Sequence, residues 1–481
     1  MSDAEVMAEE LLARASLAAA EFNQLDQAAV DRIVEAVARA ALENRITLAR
    51  LAWEETGKGV WQHKVLKNVV AALLVYRDIR HEKTAGVISE DAETGIIEIA
   101  QPLGPILGII PVTNPTSTVI FKILISLKAR NPIIISPHRA AVECCAAAAR
   151  VCSAAALAAG APEGCIQWIT ESSRELTHAL MSHPRLALVL ATGGPGLVRA
   201  AYSSGTPAIG VGSGNVPVFV EKSADIAFAV ENIILSKTFD NGTICASEQA
   251  VVVEEETAAR VRSEFERRGG YFLDPEQTVR VAAAAVRADT GLMNPAIVGQ
   301  SAARIAEMAG IDVPAGTVLL LAPQEEAGEE YPLSGEILAP LLAFYVRPDF
   351  SAALKLCIDL NYRGGVGHTA SIYSENESRI REFAELMNAG RIVVNTPSSQ
   401  GAVGGMFNRL PVSFTLGCGA GGKNITTENI TARNLINIKR VCRRRENREW
   451  VETPAEKYLN GAVGADEIMG SGNGEGGEAD G

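Results

Sequence analysis

The residue best suited to covalent chemistry is Cys245, in a short segment (239–249) between a helical stretch and an apolar strand. A cysteine on such a turn can face a cleft, where nearby backbone N–H groups help to stabilise its thiolate. The alternative is a buried structural cysteine, which is the commoner role of this residue type. The segment alone leaves both interpretations open.

The other cysteines give no comparable signal. Cys144, Cys145 and Cys152 fall in an Ala-rich helix and Cys165 in a strand, where packing is the simpler role. The eight cysteines form no CxxC pair and do not cluster with the six histidines. We therefore expect no metal site, no disulfide framework and a reducing, cytoplasmic environment.

Composition and charge argue against two classes of partner. The 481 residues carry a formal net charge of −13, which repels nucleic-acid phosphates. Hydrophobic residues make up 47%, which allows a large core. No run of about 18 uninterrupted apolar residues predicts a membrane span. The acidic N-terminal residues lack the basic start and apolar run of a secretory signal, so we expect none.

Alternating helices and strands must position the candidate residues. Helical periodicity covers 4–53 and about 62–80. Apolar runs then predict strands that alternate with helices, as in a parallel sheet covered on both faces. A second alternating set places a domain boundary near 238. The predicted strands are 95–100, 107–112, 132–135, 165–169, 186–191, 216–220, 250–253, 318–321, 343–346, 370–373 and 391–395.

Six motifs in a fixed order carry a resemblance to a known family. They are Glu55-Thr56-Gly57-Lys58-Gly59, Asn114-Pro115-Thr116-Ser117, Ala191-Thr192-Gly193-Gly194-Pro195-Gly196, the segment 238–249, Gly367-His368-Thr369 and Asn395-Thr396-Pro397-Ser398-Ser399-Gln400-Gly401. Over 10–450 the chain resembles CoA-acylating aldehyde dehydrogenases. The similarity is to the aldehyde dehydrogenase half of bifunctional aldehyde-alcohol dehydrogenases, and we expect no iron-dependent alcohol dehydrogenase half.

The resemblance implies an α/β aldehyde dehydrogenase fold with three parts and a homodimer or homotetramer. The exposed apolar strand 96–100 independently favours a partner, since an unpaired strand edge invites association. The basic run 439–445 either binds CoA phosphates or is a solvated or interface cluster. The implied parts are a Rossmann-like NAD-binding domain (1–92 and 106–238), an α/β catalytic domain (239–425) and a β-strand oligomerisation arm (93–105 and 426–452). Independently of the resemblance, the Gly/Glu/Asp-rich composition near the end of the chain predicts a disordered tail (453–481).

The resemblance also implies a reaction in two halves. Cys245 attacks an aldehyde, the side-chain amide of Asn114 and the backbone N–H of Cys245 stabilise the oxyanion, and hydride passes to NAD. Coenzyme A then collects the acyl group from the cysteine thioester. Asn114 could instead be a plain turn or cap residue. His368 either helps to deprotonate CoA or to position the substrate, or it is a histidine whose ring is hydrogen-bonded by the backbone of a Gly-rich turn.

One departure from the hydrolytic members of the family sets the subclass. Those enzymes use a glutamate as base for water, and the aligned residue here is Val211. Water needs such a base, whereas a thiol ionises near pH 8.5 and needs less help. We therefore expect acyl transfer to CoA rather than hydrolysis to free acid. Acetaldehyde is the default substrate, with sulfoacetaldehyde or succinate semialdehyde as alternatives. A catalytically silent assembly protein is disfavoured by the joint presence of Cys245, Asn114 and Glu336.

The cofactor site carries no Gly-x-Gly-x-x-Gly fingerprint. Instead, a Gly-rich turn opens the helix after strand 186–191, where small residues permit close approach of a pyrophosphate. Ser136-Pro137-His138 replaces the Lys-Pro-Ser of many relatives, which favours NAD over NADP. Glu336 matches a glutamate that binds the nicotinamide ribose, although a solvated surface carboxylate is the alternative. The expected cofactor-binding residues are Thr113, Ser136, His138, Gly193, Gly194, Gly196, Gly212 and Glu336.

Overall fold

The apolar runs form β-strands in three sheets of the computed structural model, which describes residues 2–469. Most of the predicted strands are present, within a few residues of their predicted ends. The strands are β1 (Gly86–Asp91), β2 (Ile96–Pro102), β3 (Ile106–Ile110), β4 (Ile133–Pro137), β5 (Ile166–Trp168), β6 (Leu188–Thr192), β7 (Ala208–Val211), β8 (Val216–Val220), β9 (Glu248–Glu254), β10 (Gly270–Phe272), β11 (Leu319–Pro323), β12 (Leu341–Arg347), β13 (Ala370–Tyr373), β14 (Ile392–Val394) and β15 (Ile436–Cys442).

Helices fill the connections between strands. The predicted helical region 4–53 is three helices, and a π-helical turn, Val70–Leu74, joins α4 to α5. The helices are α1 (Asp3–Phe22), α2 (Gln27–Glu43), α3 (Arg45–Thr56), α4 (Trp61–Val69), α5 (Val75–Ile79), α6 (Pro115–Lys128), α7 (Val142–Ala158), α8 (Arg174–Met181), α9 (Pro195–Tyr202), α10 (Ile226–Thr238), α11 (Glu255–Arg267), α12 (Pro275–Ala285), α13 (Ala302–Met308), α14 (Phe350–Gly364), α15 (Glu377–Leu386), α16 (Ser398–Val403), α17 (Arg448–Glu452), α18 (Ala455–Leu459) and α19 (Ala465–Met469).

The first parallel sheet has the strand order β5-β4-β3-β6-β7. The first of these strands along the chain, β3, therefore lies in the middle, and the order reverses between β3 and β6. Every residue of β3 is buried because helices cover both faces of the sheet. This is the Rossmann-like arrangement that the sequence predicts. A ligand is expected beyond the carboxyl ends of the strands at the reversal point.

The second parallel sheet has the order β10-β11-β12-β9-β8-β13-β14. It takes β8 from before residue 238, so this sheet begins earlier in the chain than the predicted boundary. Both parallel sheets belong to one compact unit, made of the described residues up to Gly86 together with Ala100–Asn437. The boundary near 238 stays a prediction.

A second unit comprises Val87–Ile99 and the described residues from Ile438 onward. In it, Glu98 forms an ion pair with Arg440, with 2.9 Å between the nearest oxygen and nitrogen. Its assignment as an oligomerisation arm stays a prediction. The tail predicted to be disordered carries two short exposed helices, α18 and α19, and its remainder (470–481) lies outside the described residues. Among residues 2–469, no helix is long and apolar enough to cross a membrane.

Candidate active site

Cys245 follows a tight turn that ends helix α10. The turn, Phe239–Gly242, places Asp240 at φ 50° and Asn241 at φ 52°, in the left-handed region that few residues other than glycine adopt. Asparagine and aspartate tolerate this region better than other side chains do, which explains their presence here. The turn directs the chain through Thr243 towards Cys245 before β9 begins.

A buried carboxylate fixes this turn. Asp240 accepts hydrogen bonds from the backbone N–H of Val60 (2.7 Å) and from the Nζ atoms of Lys64 (3.0 Å) and Lys67 (2.5 Å). Burial alone would raise the pKa of Asp240, but Lys67 and Lys64 outweigh burial and lower it. Gly59 is required beside this carboxylate, since a Cβ there would lie 2.0 Å from Asp240 Oδ1. The close approach of this carboxylate explains why the motif at 55–59 ends in glycine.

Asn114 points its side chain towards the cysteine turn. It occupies the N-cap position of α6, yet within residues 2–469 its side chain makes no capping hydrogen bond. Its Oδ1 instead accepts from Lys67 Nζ (2.5 Å), and its Nδ2 donates to the carbonyl of Thr243 (3.3 Å) and to Thr113 Oγ1 (3.1 Å). The alternative of a plain cap residue is therefore wrong.

Cys245 is half-buried, whereas Cys144, Cys145, Cys152 and Cys165 are buried, as the sequence predicts. Burial and the nearby Glu336 carboxylate raise the pKa of Cys245 to about 12, while Arg391 and the residue's own N–H act in the opposite sense. The thiol is therefore protonated at neutral pH when no ligand is bound.

His368 lies against the same short loop as Cys245. A Cβ added to Gly214 would lie 2.3 Å from the Cys245 carbonyl oxygen and 3.1 Å from His368 Nδ1, so both residues pack on Gly214. His368 Nδ1 is 3.0 Å from Thr369 Oγ1, and its buried Nε2 has no partner among residues 2–469. Burial and the Arg391 cation lower the pKa of His368 to about 3, so the imidazole is neutral.

Arg391 is a buried cation that acts electrostatically on Cys245 and His368, and the sequence pattern does not indicate it. Its five hydrogen bonds go to the backbone of the loops around His368 and to nearby side chains, which uses all five guanidinium donors. Its acceptors are the carbonyls of His368 and Gly417 (both 2.7 Å), the carbonyl of Thr427, Asn429 Oδ1 and Thr369 Oγ1. A single arginine at the start of a strand gives no signal of such a role in sequence.

Glu336 joins the site from the loop before β12. Its Oε1 accepts the N–H of Gly214 (2.8 Å), so this carboxylate is not the solvated surface group of the alternative reading. Burial raises the pKa of Glu336 to about 7, against the effects of the Gly214 N–H and of the Lys237 cation. The charge of Glu336 therefore changes near neutral pH, close to the nucleophile.

The remaining predicted residues lie around the first sheet. Gly193, Gly194 and Gly196 surround the start of α9, and among the described residues no side chain caps this helix end. A Cβ at Gly194 or at Gly196 would meet nothing within 4 Å. Gly212 follows β7, whose last residue, Val211, is buried.

Thr113, Ser136 and His138 complete the predicted set. Thr113 is largely buried and follows β3, where its hydroxyl accepts from Asn114. Ser136 is buried near the carboxyl end of β4, whereas His138 is exposed just beyond that strand. All three lie on segments that follow or end adjacent strands of one sheet. Their roles in cofactor binding stay predictions.

Val211 packs beside the nucleophile. It belongs to an apolar cluster with Ile244 and Ala246, the two neighbours of Cys245, and with Leu416 and Cys418. The residue that the resemblance aligns with the glutamate of hydrolytic enzymes thus lies in an apolar cluster beside Cys245.

Comparisons with known proteins identify the family to which this fold belongs. The model of the aldehyde dehydrogenase family matches residues 2–271. The chain belongs to the aldehyde dehydrogenase family.

The similar proteins are acylating members of that family. The bifunctional aldehyde-alcohol dehydrogenase AdhE of Escherichia coli is 45% identical over 96% of this chain, which spans about half (52%) of that relative's length. The succinate-semialdehyde dehydrogenase (acetylating) of Clostridium kluyveri is 36% identical over 91% of this chain and 96% of its own. The crystal structure of an acetylating aldehyde dehydrogenase from Geobacillus thermoglucosidasius is 48% identical, with a TM-score of 0.90 over 92% of this chain and 98% of that one. The last two of these relatives are named as acetylating enzymes, and the match covers nearly the whole length of both.

Replacing Glu336 by glutamine should speed alkylation of Cys245. The Glu336 carboxylate raises the pKa of Cys245 and is ionised above about pH 7. Removing this charge lowers the thiol pKa, so at pH 8 more thiolate is present, and a shift of one pKa unit gives roughly a tenfold faster reaction with iodoacetamide. Mass spectrometry of the Cys245 peptide measures the rate, with the exposed Cys442 as an internal reference. An unchanged ratio of the two rates would contradict the electrostatic coupling.

Proposed function

We propose that this enzyme oxidises a short neutral aldehyde, with acetaldehyde as the default, and passes the acyl group through Cys245 to coenzyme A, with NAD as the hydride acceptor. This proposal is supported by the side chains that come together at the site. Cys245 offers a half-buried thiol, and within residues 2–469 the Asn114 amide makes no capping hydrogen bond. His368 is a neutral histidine whose Nε2 has no partner among the same residues, and Val211 is apolar. The reaction can run in reverse as reduction of an acyl-CoA.

The first half-reaction uses Cys245 and Asn114. The thiol adds to the aldehyde carbonyl. A C–S bond forms, the π bond of the carbonyl breaks, and the thiol proton ends on the oxygen, which gives a hemithioacetal. Asn114 Nδ2, which exchanges its long 3.3 Å bond to the Thr243 carbonyl for the substrate, and the backbone N–H of Cys245 stabilise the developing oxyanion. When bound, NAD accepts the hydride that leaves this carbon. With loss of the hydroxyl proton, the acyl group remains on Cys245 as a thioester.

The second half-reaction uses His368. Its Nε2 accepts the proton of the CoA thiol, whose sulfur attacks the thioester carbon. The Cys245 sulfur leaves and recovers that proton, so no oxidant is consumed and the free thiol is restored. A neutral imidazole is the form that this step needs, and burial keeps His368 in that form. Water lacks comparable help, because Val211 stands where a hydrolytic enzyme has its glutamate.

The charges around the nucleophile favour a neutral substrate. Two buried cations, Lys67 and Arg391, act electrostatically on Cys245. Lys67 uses its three donors on Asn114, Asp240 and Thr243, and the Arg391 donors are also all used by the protein. The carboxylate of succinate semialdehyde or the sulfonate of sulfoacetaldehyde would find neither of these cations free to pair with it.

The cofactor fits the first sheet. The uncapped start of α9, with no Cβ on Gly194 or Gly196, offers backbone N–H groups to a pyrophosphate beyond β6. In dinucleotide-binding folds an acidic residue near the second strand binds the ribose 2′-hydroxyl. The second strand here is β4, and the acidic candidate near it is Glu55. Its carboxylate accepts the backbone N–H groups of Glu143 (2.9 Å) and Cys144 (2.8 Å), at the start of the helix that follows β4. A fixed negative charge there disfavours a 2′-phosphate, which supports NAD over NADP.

A homodimer or homotetramer in the cytoplasm completes the proposal. In the second unit, the sheet order β1-β2-β15 leaves β15 at an edge with exposed residues. An edge of this kind is a ready template for a strand from another copy.

Replacing His368 by alanine should separate the two half-reactions. Without CoA, His368→Ala should retain a burst of about one NADH per active site, since the first half does not use this imidazole. With CoA, the steady-state rate should fall roughly 10²–10⁴-fold, the usual worth of general acid-base help. Rapid-mixing absorbance at 340 nm measures both phases.

The control for this experiment is Cys245→Ser, which should abolish the burst and the steady state together. Retention of activity in Cys245→Ser would remove this cysteine from the mechanism. Carboxylate formation by the wild type at an equal rate without CoA would show hydrolysis instead of acyl transfer.

Replacing Glu55 by glutamine should weaken the preference for NAD. Loss of one negative charge near the ribose removes its repulsion of the 2′-phosphate. At 4 Å in water-like surroundings this repulsion is about 1 kcal/mol, so the Kd for NADP should fall roughly fivefold. Tryptophan fluorescence titration with NADP and with NAD measures both dissociation constants. The matched control is the exposed neighbour Glu54→Gln, which should change neither. Equal effects of the two substitutions would contradict a specific role for Glu55.

A further inference from the structure

Lys67 links the cysteine turn to the Asn114 amide. Its Nζ lies 2.5 Å from Asn114 Oδ1, 2.5 Å from Asp240 Oδ2 and 2.9 Å from Thr243 Oγ1, and the residue is only 3% exposed. An ammonium group has three donors and no acceptor, so these three contacts account for all of its donors. A fully buried lysine is rare unless it is paired, and Lys67 is paired with Asp240.

The contact with Lys67 determines which way the Asn114 amide faces. Because an ammonium can only donate, the atom that faces it must be the amide oxygen, and the Nδ2 group must then point to the other side. On that side it lies 3.3 Å from the carbonyl of Thr243, two residues before Cys245. The positive charge beside the oxygen also polarises the amide, which makes its N–H groups better donors.

The position of Lys67 is itself fixed from two sides. Lys64 and Lys67 are three residues apart on α4, so they share one helix face, and both contact Asp240. Asn68, on the same face, donates to the carbonyl of Arg45 and accepts from Thr116 of α6. The ammonium group is thereby held between the turn and the start of α6.

We propose that Lys67 is a positioning residue for the acylation reaction, which orients and polarises the Asn114 amide so that its Nδ2 can stabilise the oxyanion at Cys245. This inference rests on the proposed function, in which Asn114 supplies that hydrogen bond. Nothing in the role requires Lys67 to touch substrate or cofactor. The part of its effect that acts through the amide should therefore disappear when Asn114 is absent, and only the part shared with Lys64, through Asp240, should remain.

Lys64 provides a matched control on the same helix. It is equally buried and pairs with the same Asp240 carboxylate, but its other contact is the carbonyl of Thr113 rather than the Asn114 side chain. Lys64→Met and Lys67→Met thus remove the same charge from the same ion cluster. Only the second removes the partner of the amide.

A double-mutant cycle tests the proposal. Asn114→Ala should lower kcat roughly 10²–10³-fold, as expected for loss of one oxyanion donor. Lys67→Met should lower kcat at least tenfold more than Lys64→Met does, with an unchanged KM for NAD, and in the Asn114→Ala background it should cost no more than Lys64→Met costs there. Lys64→Met should lower kcat by the same factor in both backgrounds, as independent effects do.

The proposal is overturned if the kcat of the double variant Lys67→Met/Asn114→Ala falls by the product of the two single losses. It is also overturned if Lys67→Met and Lys64→Met show the same coupling to Asn114→Ala. Retained NAD affinity and thermal unfolding profiles show that each variant is folded. If Lys67→Met does not fold, Lys67→Gln enters the same cycle, since its amide keeps polar contacts with the cluster. Activity in Cys245→Ser is a separate result, which would contradict the proposed function rather than this role of Lys67.

Discussion

The buried Asp240 carboxylate joins two segments that are distant in the sequence, helix α4 and the turn before Cys245. It holds the start of α4 through Val60, the middle of that helix through Lys64 and Lys67, and its own left-handed turn through Thr243. Removing one partner from a buried ion pair typically costs about 3–5 kcal/mol, because the other charge is left without compensation. The direction of the chain at Cys245 and the orientation of Asn114 both depend on this cluster.

The site is built to remain nearly uncharged at its reactive atoms before ligands bind. Burial protonates the Cys245 thiol, keeps His368 neutral and raises the pKa of Glu336 to about 7. The two buried cations, Lys67 and Arg391, are instead committed to protein groups at the edges, and burial lowers the pKa of Lys67 to about 8. An uncharged thiol and imidazole suit a chemistry that moves an acyl group between two sulfur atoms, and the apolar Val211 gives water no base.

The sequence predicts the parallel sheets well because their strands are continuous apolar runs, such as β3 and β8. It misses β7 and β10, which are only four and three residues long, and the largely exposed β1 and β15, whose polar residues resemble a loop. Cys245, Asn114 and His368 carry motif signals and were found. Lys67 and Arg391 carry none, since a lysine on a helix or an arginine before a strand usually faces solvent. Only the tertiary structure shows that both are buried and fully bonded.

In the proposed mechanism an acyl group on Cys245 connects the two half-reactions, and such a group can be observed directly. The enzyme is incubated with acetaldehyde and NAD without CoA, quenched in acid, digested and analysed by mass spectrometry. The expected result is an acetyl group on the peptide that contains Cys245, which is lost when CoA is added before the quench. An unmodified Cys245 during turnover, or an acetyl group found instead on Cys418 or Cys442, would contradict the assignment of the nucleophile.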